Sequence, residues 1–433
     1  MEPRNLKRVL IHSIVFSPDG VSTAYLYNDI AIGLVENGFD VVVLTTTPHY
    51  NLIESELDKQ PISKRIFGLY YVSNFKGILV YHIPLKKYKS TLKRIFSFIY
   101  WHIASLLFAL SLKKINFVLS PSPPISIGFL SLLIAKIKGG KAVYNVQEIY
   151  PDLLINQGNL KSSFLINLLK KFEKFIYNKS DAVVTIDNVF YSTILPRFRD
   201  SRKLHIIPNF VDTDLYKPLK NIQKLPAIFG EENGKIKILY AGNIGFFQDW
   251  EPVLFAAKEL LDENIEFWII GEGVQKEFLE KEVQNLNLTN VRIFPYQSRE
   301  LIPIINNYAD IHFIAINKQM EKMKEQMAKE KGKDRIFGHY EGVISVRSAV
   351  EACVEAGVNY LTLYAFSTEN WNRPKAEVDA LMELLVNTLN TEMVSLHKNG
   401  VRLHVIGDFK SLPAICQQQL SEAIALTKNN TSL

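Results

Sequence analysis

Short continuous apolar runs alternate with helix-period stretches over the first three hundred residues. Arg8-Val9-Leu10-Ile11-His12-Ser13-Ile14-Val15-Phe16 reads as a buried strand running into the turn Ser17-Pro18-Asp19-Gly20. A helical period follows from Tyr25 to Glu36 and stops at Asn37-Gly38, where glycine supplies a C-cap. Val41-Val42-Val43-Leu44 is the next apolar run, so strand, loop, helix and strand make one βαβ unit and predict a parallel sheet covered on both faces. The runs recur at 117–119, 142–146 and 182–186, which predicts a doubly wound α/β layer. Pro208-Asn209 leaves that layer, and a polar stretch to Gly234 reads as a linker. A second series then begins: strand 236–240, helix 252–261, strand 267–270, helix 276–286, strand 291–293 and strand 311–314. Two Rossmann-like layers in tandem are expected, with ligands at the carboxyl ends of their strands.

One segment breaks this rhythm. Ile95 to Leu112 carries no charge, is preceded by Lys86, Lys87, Lys89, Lys93 and Arg94, and is followed by Lys113 and Lys114. Its length just meets the lower limit for a spanning helix. Ser97, His102, Ser105 and Ser111 within it favour a helix lying in a membrane interface, lysines on anionic headgroups, with a core helix having solvated basic ends as the alternative. Composition adds a second break. The chain has 433 residues and a formal charge of +6, and all the excess positive charge lies before residue 322. Five of the six methionines lie beyond residue 319, as do both cysteines, Cys353 and Cys416, too few for a disulfide framework or a Cys-based zinc site. The basic residues gather around an apolar helix without interleaved aromatics, which gives no support to nucleic-acid binding.

Three glycine-bearing loops are the candidate chemistry. Tyr240-Ala241-Gly242-Asn243-Ile244-Gly245 follows a strand and precedes a helix, where small residues let backbone N–H groups approach a phosphate and the helix dipole favours an anion. Ile270-Gly271-Glu272-Gly273 repeats the arrangement one strand later, and the turn ending in Gly20 is its counterpart in the first layer. Each alone is an ordinary turn signal; together they point to a diphosphate.

From Arg8 to about Glu321 the chain resembles a GT-B glycosyltransferase of the family-4 kind, of the bacterial exopolysaccharide and O-antigen type. The resemblance rests on Phe16-Ser17-Pro18-Asp19-Gly20, Val146-Gln147-Glu148-Ile149-Tyr150-Pro151-Asp152, Ile207-Pro208-Asn209-Phe210-Val211-Asp212 and the loops at 239–245 and 269–273. It implies retaining transfer of a sugar from a nucleotide-sugar to a lipid-linked or polysaccharide acceptor, without a metal, by a cytoplasmic protein peripheral at the inner face of a bacterial membrane. Donor-binding residues would be Gly20, Gly242, Asn243, Gly245, Gln248, Gly271 and Gly273; catalytic ones Gln147 and Glu148. Many relatives carry Arg and Lys where this chain has Asn243 and Gln248, and a His before the acidic residue where it has Gln147. The family's paired-glutamate motif is replaced by Asn317-Lys318-Gln319-Met320-Glu321, so weak donor binding and little turnover are expected.

From Gly332 a second resemblance begins, to the cis-prenyltransferases of the undecaprenyl diphosphate synthase family. It is carried by Arg335-Ile336-Phe337-Gly338-His339, Ser367-Thr368-Glu369-Asn370-Trp371-Asn372-Arg373-Pro374 and Val401-Arg402-Leu403-His404-Val405-Ile406-Gly407-Asp408. It places Arg335 and His339 at a diphosphate end, and Ser367, Glu369, Asn370, Trp371 and Arg373 on the substrate. The family's Mg²⁺-binding Asp loop would fall at 322–327, which here reads Lys322-Met323-Lys324-Glu325-Gln326-Met327, and the second half of that fold is not reached by Leu433. The expected organisation is a GT-B N-terminal domain (1–210), a truncated nucleotide-sugar domain (211–321), a charged junction (322–334) and a partial prenyltransferase-like α/β unit (335–433). Three functions follow: a glycosyltransferase impaired by truncation, an isoprenyl synthase-type fragment, or a non-catalytic hybrid of two enzyme fragments.

Overall fold

The structure, a computed structural model, describes residues 6–433 apart from 53, 87, 89, 157–159, 161, 220–223, 247, 316–345, 348, 352, 356–357, 359, 364–370 and 372–374. It forms two compact units, Met1–Thr213 with Pro295–Ile302, and Asp214–Phe294 with Pro303–Leu433. In the first unit the elements are β1 (Arg8–His12), α1 (Ser22–Glu36), β2 (Asp40–Thr46), α2 (Glu54–Lys59), β3 (Ser63–Arg65), β4 (Tyr70–Phe75), β5 (Ile78–Ile83), α3 (Thr91–Ser111), β6 (Phe117–Ser122) and α4 (Ile125–Lys138). They continue with β7 (Lys141–Val146), α5 (Asp152–Asn156), α6 (Ser163–Lys179), β8 (Ala182–Thr185), α7 (Asn188–Ile194) and β9 (Leu204–Ile206).

These nine strands form one sheet in the order β3-β4-β5-β2-β1-β6-β7-β8-β9. Its centre is the parallel, doubly covered layer that the apolar runs predict. Leu10, Val42, Leu44 and Val118 face α3 and α4, while Val9, Ile11, Val41 and Val43 face Tyr27 and Ala31 of α1. The sheet is nevertheless mixed, because β4 runs antiparallel to both β3 and β5. The expectation of a purely parallel sheet is corrected there. The turn Lys76-Gly77 between β4 and β5 puts both residues at positive φ (48° and 89°), the twist a two-residue hairpin needs.

Helix α3 packs on α4, and α4 on α6, all on one face of the sheet. α3 is anchored by Trp101, Ser105 and Ala109, each wholly buried one helical turn apart. Trp101 stacks on His12 at 5.5 Å, and His12 in turn meets Ser131 Oγ of α4 at 3.2 Å. Burial, aided by the nearby His102, lowers the His12 pKa to about 3, so the imidazole is neutral. The unfolded chain takes up that proton near pH 6.5 and the folded one resists, so this group withdraws stability as pH falls from about 6.5 towards 3.

The second unit holds β10 (Ile236–Ala241), α8 (Glu251–Glu259), β11 (Ile265–Ile270), α9 (Lys276–Asn285), β12 (Val291–Phe294), α10 (Ile302–Tyr308), β13 (Ile311–His312), α11 (Lys375–Lys398) and α12 (Ala414–Thr427). Its sheet is parallel throughout, in the order β12-β11-β10-β13. Two expectations change here. The strand predicted over 311–314 is only Ile311–His312, and Ile314 is exposed. The polar stretch to Gly234 is not wholly linker, since the turn Ala227–Phe229 buries Phe229 in a stack on Phe294 at 4.5 Å. Towards the C-terminus α11 and α12 pack on each other through Met382, Leu389, Cys416 and Leu420.

Candidate active site

Glu148 stands two residues past β7, at the carboxyl edge of the first sheet, and its position is set from β6. Ser122 Oγ, at the end of β6, accepts from the amides of Gln147 (3.1 Å) and Glu148 (3.2 Å) and donates to the Glu148 carbonyl (2.8 Å). One buried hydroxyl therefore fixes the backbone of the Gln147-Glu148 pair. The two side chains then diverge. Gln147 is fully engaged: its Nε2 donates to Asn145 Oδ1 (3.0 Å) and Asn209 Oδ1 (3.1 Å), and its Oε1 accepts from Asn209 Nδ2 (2.8 Å). That reciprocal amide pair joins two motifs, Val146–Asp152 and Ile207–Asp212, lying 62 residues apart. Glu148 is half-buried, and its carboxylate has no hydrogen-bond partner among the described residues. Burial pushes its pKa up, as suits a proton-handling group. The geometry thus makes Gln147 a positioning residue and leaves Glu148 as the chemically available one.

The far end of the same motif is clamped. Arg197, in the turn after α7, donates to Asp152 and to Glu173 Oε2 (2.5 Å), and Glu173 also accepts from Tyr177 Oη (2.8 Å). Glu173 is almost completely buried on α6. Burial raises its pKa to about 7, against the lowering effect of Arg197.

The turn 17–20 is held by a separate buried network. His82 donates from Nδ1 to the Thr46 carbonyl (2.9 Å), so its Nε2 accepts from Ser73 Oγ (2.8 Å). Ser73 accepts from Gln60 Nε2 (2.8 Å), and Gln60 Oε1 accepts from Ser17 Oγ (2.6 Å). Asp19, 2% exposed, accepts from the amides of His49 and Tyr50, both at 2.7 Å. Gly20 needs its missing side chain for packing: a Cβ would lie 2.6 Å from the Asn51 carbonyl oxygen. Its role is structural closeness of two loops, whatever it also does for a ligand.

In the second unit the two glycine loops interlock. Gly242 N–H donates to the Ile270 carbonyl (3.0 Å), Ile244 N–H to the Glu272 carbonyl (2.9 Å) and Gln275 N–H to the Ile244 carbonyl (3.0 Å). A Cβ on Gly271 would sit 1.9 Å from the Gly242 carbonyl oxygen, and one on Gly273 2.2 Å from that of Ile244. Gly245 N–H is capped by Gln248 Oε1 at 2.8 Å, and Tyr240 Oη donates to the Asn243 carbonyl at 2.7 Å. Gly242, Asn243, Gly245 and Gln248 are thus brought together, with Gly271 and Gly273 directly behind them. Of the prenyl-diphosphate candidates, Trp371 is partly exposed. Arg335, His339, Ser367, Glu369, Asn370 and Arg373 lie outside the described residues, as does Lys322. Ser122 and Arg197, which hold the Val146–Asp152 run, are not singled out by the sequence, and Asn209 is visible there only as part of Ile207–Asp212, since each acts through partners distant in the chain.

Residues 24–215 match the profile of Glycosyltransferase Family 4, and residues 221–323 that of Glycosyl transferases group 1. Two glycosyltransferase domains stand in tandem. The glycosyltransferase part ends where a third profile begins, that of undecaprenyl diphosphate synthase, over residues 324–433. In that last stretch the chain is 54% identical over 106 residues to the isoprenyl transferase of Clostridium tetani, covering 24% of this chain and 42% of that protein. It is 51% identical over 106 residues to the ditrans,polycis-undecaprenyl-diphosphate synthase of Pasteurella multocida, covering 24% and 44%. The chain therefore spans about two fifths of the length of these relatives. Among solved structures, the catalytic domain of starch synthase IV from Arabidopsis thaliana, bound to ADP and acarbose, aligns with a TM-score of 0.51 at 14% identity, over 71% of this chain and 78% of that one. A glycosyltransferase from Rickettsia africae aligns with a TM-score of 0.50 at 16% identity, over 99% and 95%. At these identities the likeness is one of fold, and the fold is GT-B.

Proposed function

We propose that residues 1–321 are built to transfer a sugar from a nucleotide-sugar to a lipid-linked or polysaccharide acceptor, with the protein peripheral at the inner face of a bacterial membrane. They bind the donor weakly and turn over little, because Asn317–Glu321 stand where the family's paired glutamates would. Glu148 carries this reading: a half-buried carboxyl without a partner among the described residues, held by Ser122 at the carboxyl end of β7. In such a transfer the acceptor oxygen bonds to the sugar's anomeric carbon, the bond from that carbon to the diphosphate breaks, and the acceptor's hydroxyl proton needs a receiver. Glu148 supplies one. The donor's diphosphate is assigned to Gly242, Asn243 and Gly245, where the Gln248 carboxamide oxygen now occupies the place that a phosphate oxygen would take on the Gly245 amide. A solved fold neighbour bound to ADP is in keeping with a nucleotide-sugar donor.

Titrating the purified chain with UDP- and ADP-sugars tests the donor assignment. Gly245→Val is expected to weaken binding by about 1–3 kcal/mol. Its first side-chain carbon would stand 2.4 Å from Asn243 Nδ2 and 3.3 Å from Gln248 Oε1, so the Asn243 carboxamide must shift, Gln248 must give by a few tenths of an ångström, and the added bulk crowds the amide proposed for the phosphate. Unchanged affinity would remove the assignment. Glu148→Gln should abolish transfer while leaving donor affinity unaltered; retained transfer would reassign the proton.

For residues 324–433 we propose residual diphosphate contact without chain elongation. Ionising an allylic diphosphate needs its developing charge neutralised, and the Mg²⁺-holding Asp of the family is replaced in this chain by Lys322. Incubation with isopentenyl and farnesyl diphosphates and Mg²⁺ is expected to yield no longer polyprenyl product, and the single change Lys322→Asp should not rescue it. Any magnesium-dependent elongation by the unmodified chain would overturn this.

A further inference from the structure

Helix α3 is anchored along one stripe and bare along another. Leu92, Ile95, Phe96, Ile99, Ile103 and Leu107 recur at three- and four-residue steps, and all are exposed, Phe96 to 69%. Helix α6, across α4 on the same sheet face, repeats the arrangement. Its Glu173, Ile176 and Tyr177 point inward, while Phe164, Leu165, Leu168 and Phe175 point outward, Phe164 with 77% exposed. A soluble surface scatters such residues singly; here they gather on the two helices that flank α4.

The charge on this face has one sign. Lys86, Lys93, Lys113 and Lys114 flank or begin α3, and Lys171 and Lys174 lie beside the α6 apolar residues, all exposed. α3 and α4 contain no acidic residue, and the single one on α6, Glu173, is turned inward to Arg197. Lys86 and Lys93 stand by the N-terminal end of α3 and Lys113 and Lys114 beyond its other end, while the exposed carboxylates of this sheet edge, Glu54 and Asp58, lie on α2. The apolar, lysine-bearing face of α3, α4 and α6 complements the anionic headgroup layer of a bilayer, where lysines reach phosphates while apolar tips enter the acyl boundary.

Topology fixes which end meets the lipid. α3 and α6 each connect strands that run parallel in one sheet, so both run antiparallel to those strands. Their N-terminal turns, where Leu92, Ile95, Phe96, Phe164, Leu165 and Leu168 lie, are therefore at the strands' carboxyl ends, the edge that carries Glu148. We infer that α6 is a second lipid-contacting helix, and that α3 and α6 together seat this edge of the first unit on an anionic membrane, so that a lipid-borne acceptor arrives beside Glu148. The last clause rests on the sugar-transfer reading; the membrane contact of α6 does not.

The test is co-sedimentation of the full chain, without nucleotide-sugar, with vesicles of phosphatidylethanolamine and phosphatidylglycerol or of phosphatidylcholine alone. Binding is expected to the anionic vesicles and to weaken with salt. The variants Phe164→Ser/Leu165→Ser/Leu168→Ser and Leu92→Ser/Phe96→Ser/Ile99→Ser should each lower it about tenfold or more. A Phe164→Trp variant should show a blue-shifted emission that brominated lipid quenches. Should the α6 serine variant lose its fold by circular dichroism, Lys171→Glu/Lys174→Glu replaces it with the same expected loss. Wild-type binding by the folded α6 variant, emission from the Phe164→Trp variant that brominated lipid leaves unquenched, indifference to lipid charge and salt, or self-association of the wild type that the serine variants abolish in sedimentation would each overturn the proposal, the last by showing a second copy on this face. Donor titration on the same preparation is a separate measurement, so failure of sugar transfer and failure of lipid contact are read apart.

Discussion

Arg197→Met is expected to destabilise the first unit by about 1–2 kcal/mol near pH 8, because it leaves the buried Glu173 carboxylate without its counter-charge, while Asp152 keeps Lys170 at 3.8 Å. The effect should depend on pH in a particular direction. Glu173 has a folded pKa near 7 against an ordinary 4.5, raised by burial. Below about pH 4.5 both states are protonated and the group costs nothing; as pH rises the unfolded chain ionises first, and stability is lost until the folded group also ionises near 7. Without Arg197 the folded value moves higher still, so the window of loss extends upward. The deficit of the variant should be small at pH 5 and grow through pH 7 and beyond, measured by denaturant unfolding across that range. Adding Glu173→Gln should recover a large part of it at pH 8. A deficit independent of pH would show that Arg197 contributes packing and not charge.

Gly271→Val should be the most damaging single change in the second unit, by roughly 2–4 kcal/mol. The atom that its first side-chain carbon would meet, at 1.9 Å, is the backbone oxygen of Gly242, which cannot rotate aside as a side chain could. The loop 242–245 must part from 271–273, and the hydrogen bonds from Gly242 to Ile270 and from Ile244 to Glu272 stretch or break. A lowered thermal midpoint with intact unfolding of the first unit is the expected result. Gly33 in α1 makes the contrast, since nothing lies within 4 Å of its would-be Cβ. Gly33→Ala should be neutral or stabilising by up to about 1 kcal/mol, from helix propensity alone. Equal behaviour of the two variants would contradict the interlocked-loop account.

The strands that sequence reading finds are those buried on both faces. β1, β2, β6, β7, β8, β10, β11 and β12 are runs dominated by apolar residues and bounded by turn residues, and all form. The antiparallel edge escaped because edge strands are half-solvated: Ser63, Lys64 and Arg65 are all exposed, and Tyr70–Phe75 mixes polar with aromatic residues. Its one legible signal was Lys76-Gly77, a hairpin turn. At the site, Gln147 and Glu148 were visible as a pair, but not which of them is available, because that depends on Asn209 and Ser122 folding back upon them. The glycines of the second unit were visible as loops that a phosphate could approach. The reason Gly271 and Gly273 must be glycine is a backbone contact across two loops, which no local pattern encodes.

The two rims of the nine-stranded sheet bear on how crowded solutions of this chain behave. An open rim offers unpaired amides and carbonyls from which a ladder of copies could grow. β3 answers with three exposed residues, two of them cationic, so an approaching copy meets repulsion. β9 answers differently: it is three residues long, and one further bond, from Ile207 N–H to the Thr185 carbonyl, brings the chain to Pro208, which has no proton to give. Pro208 thus does double duty, delivering Asn209 to Gln147 and ending the rim beyond which polymerisation would begin.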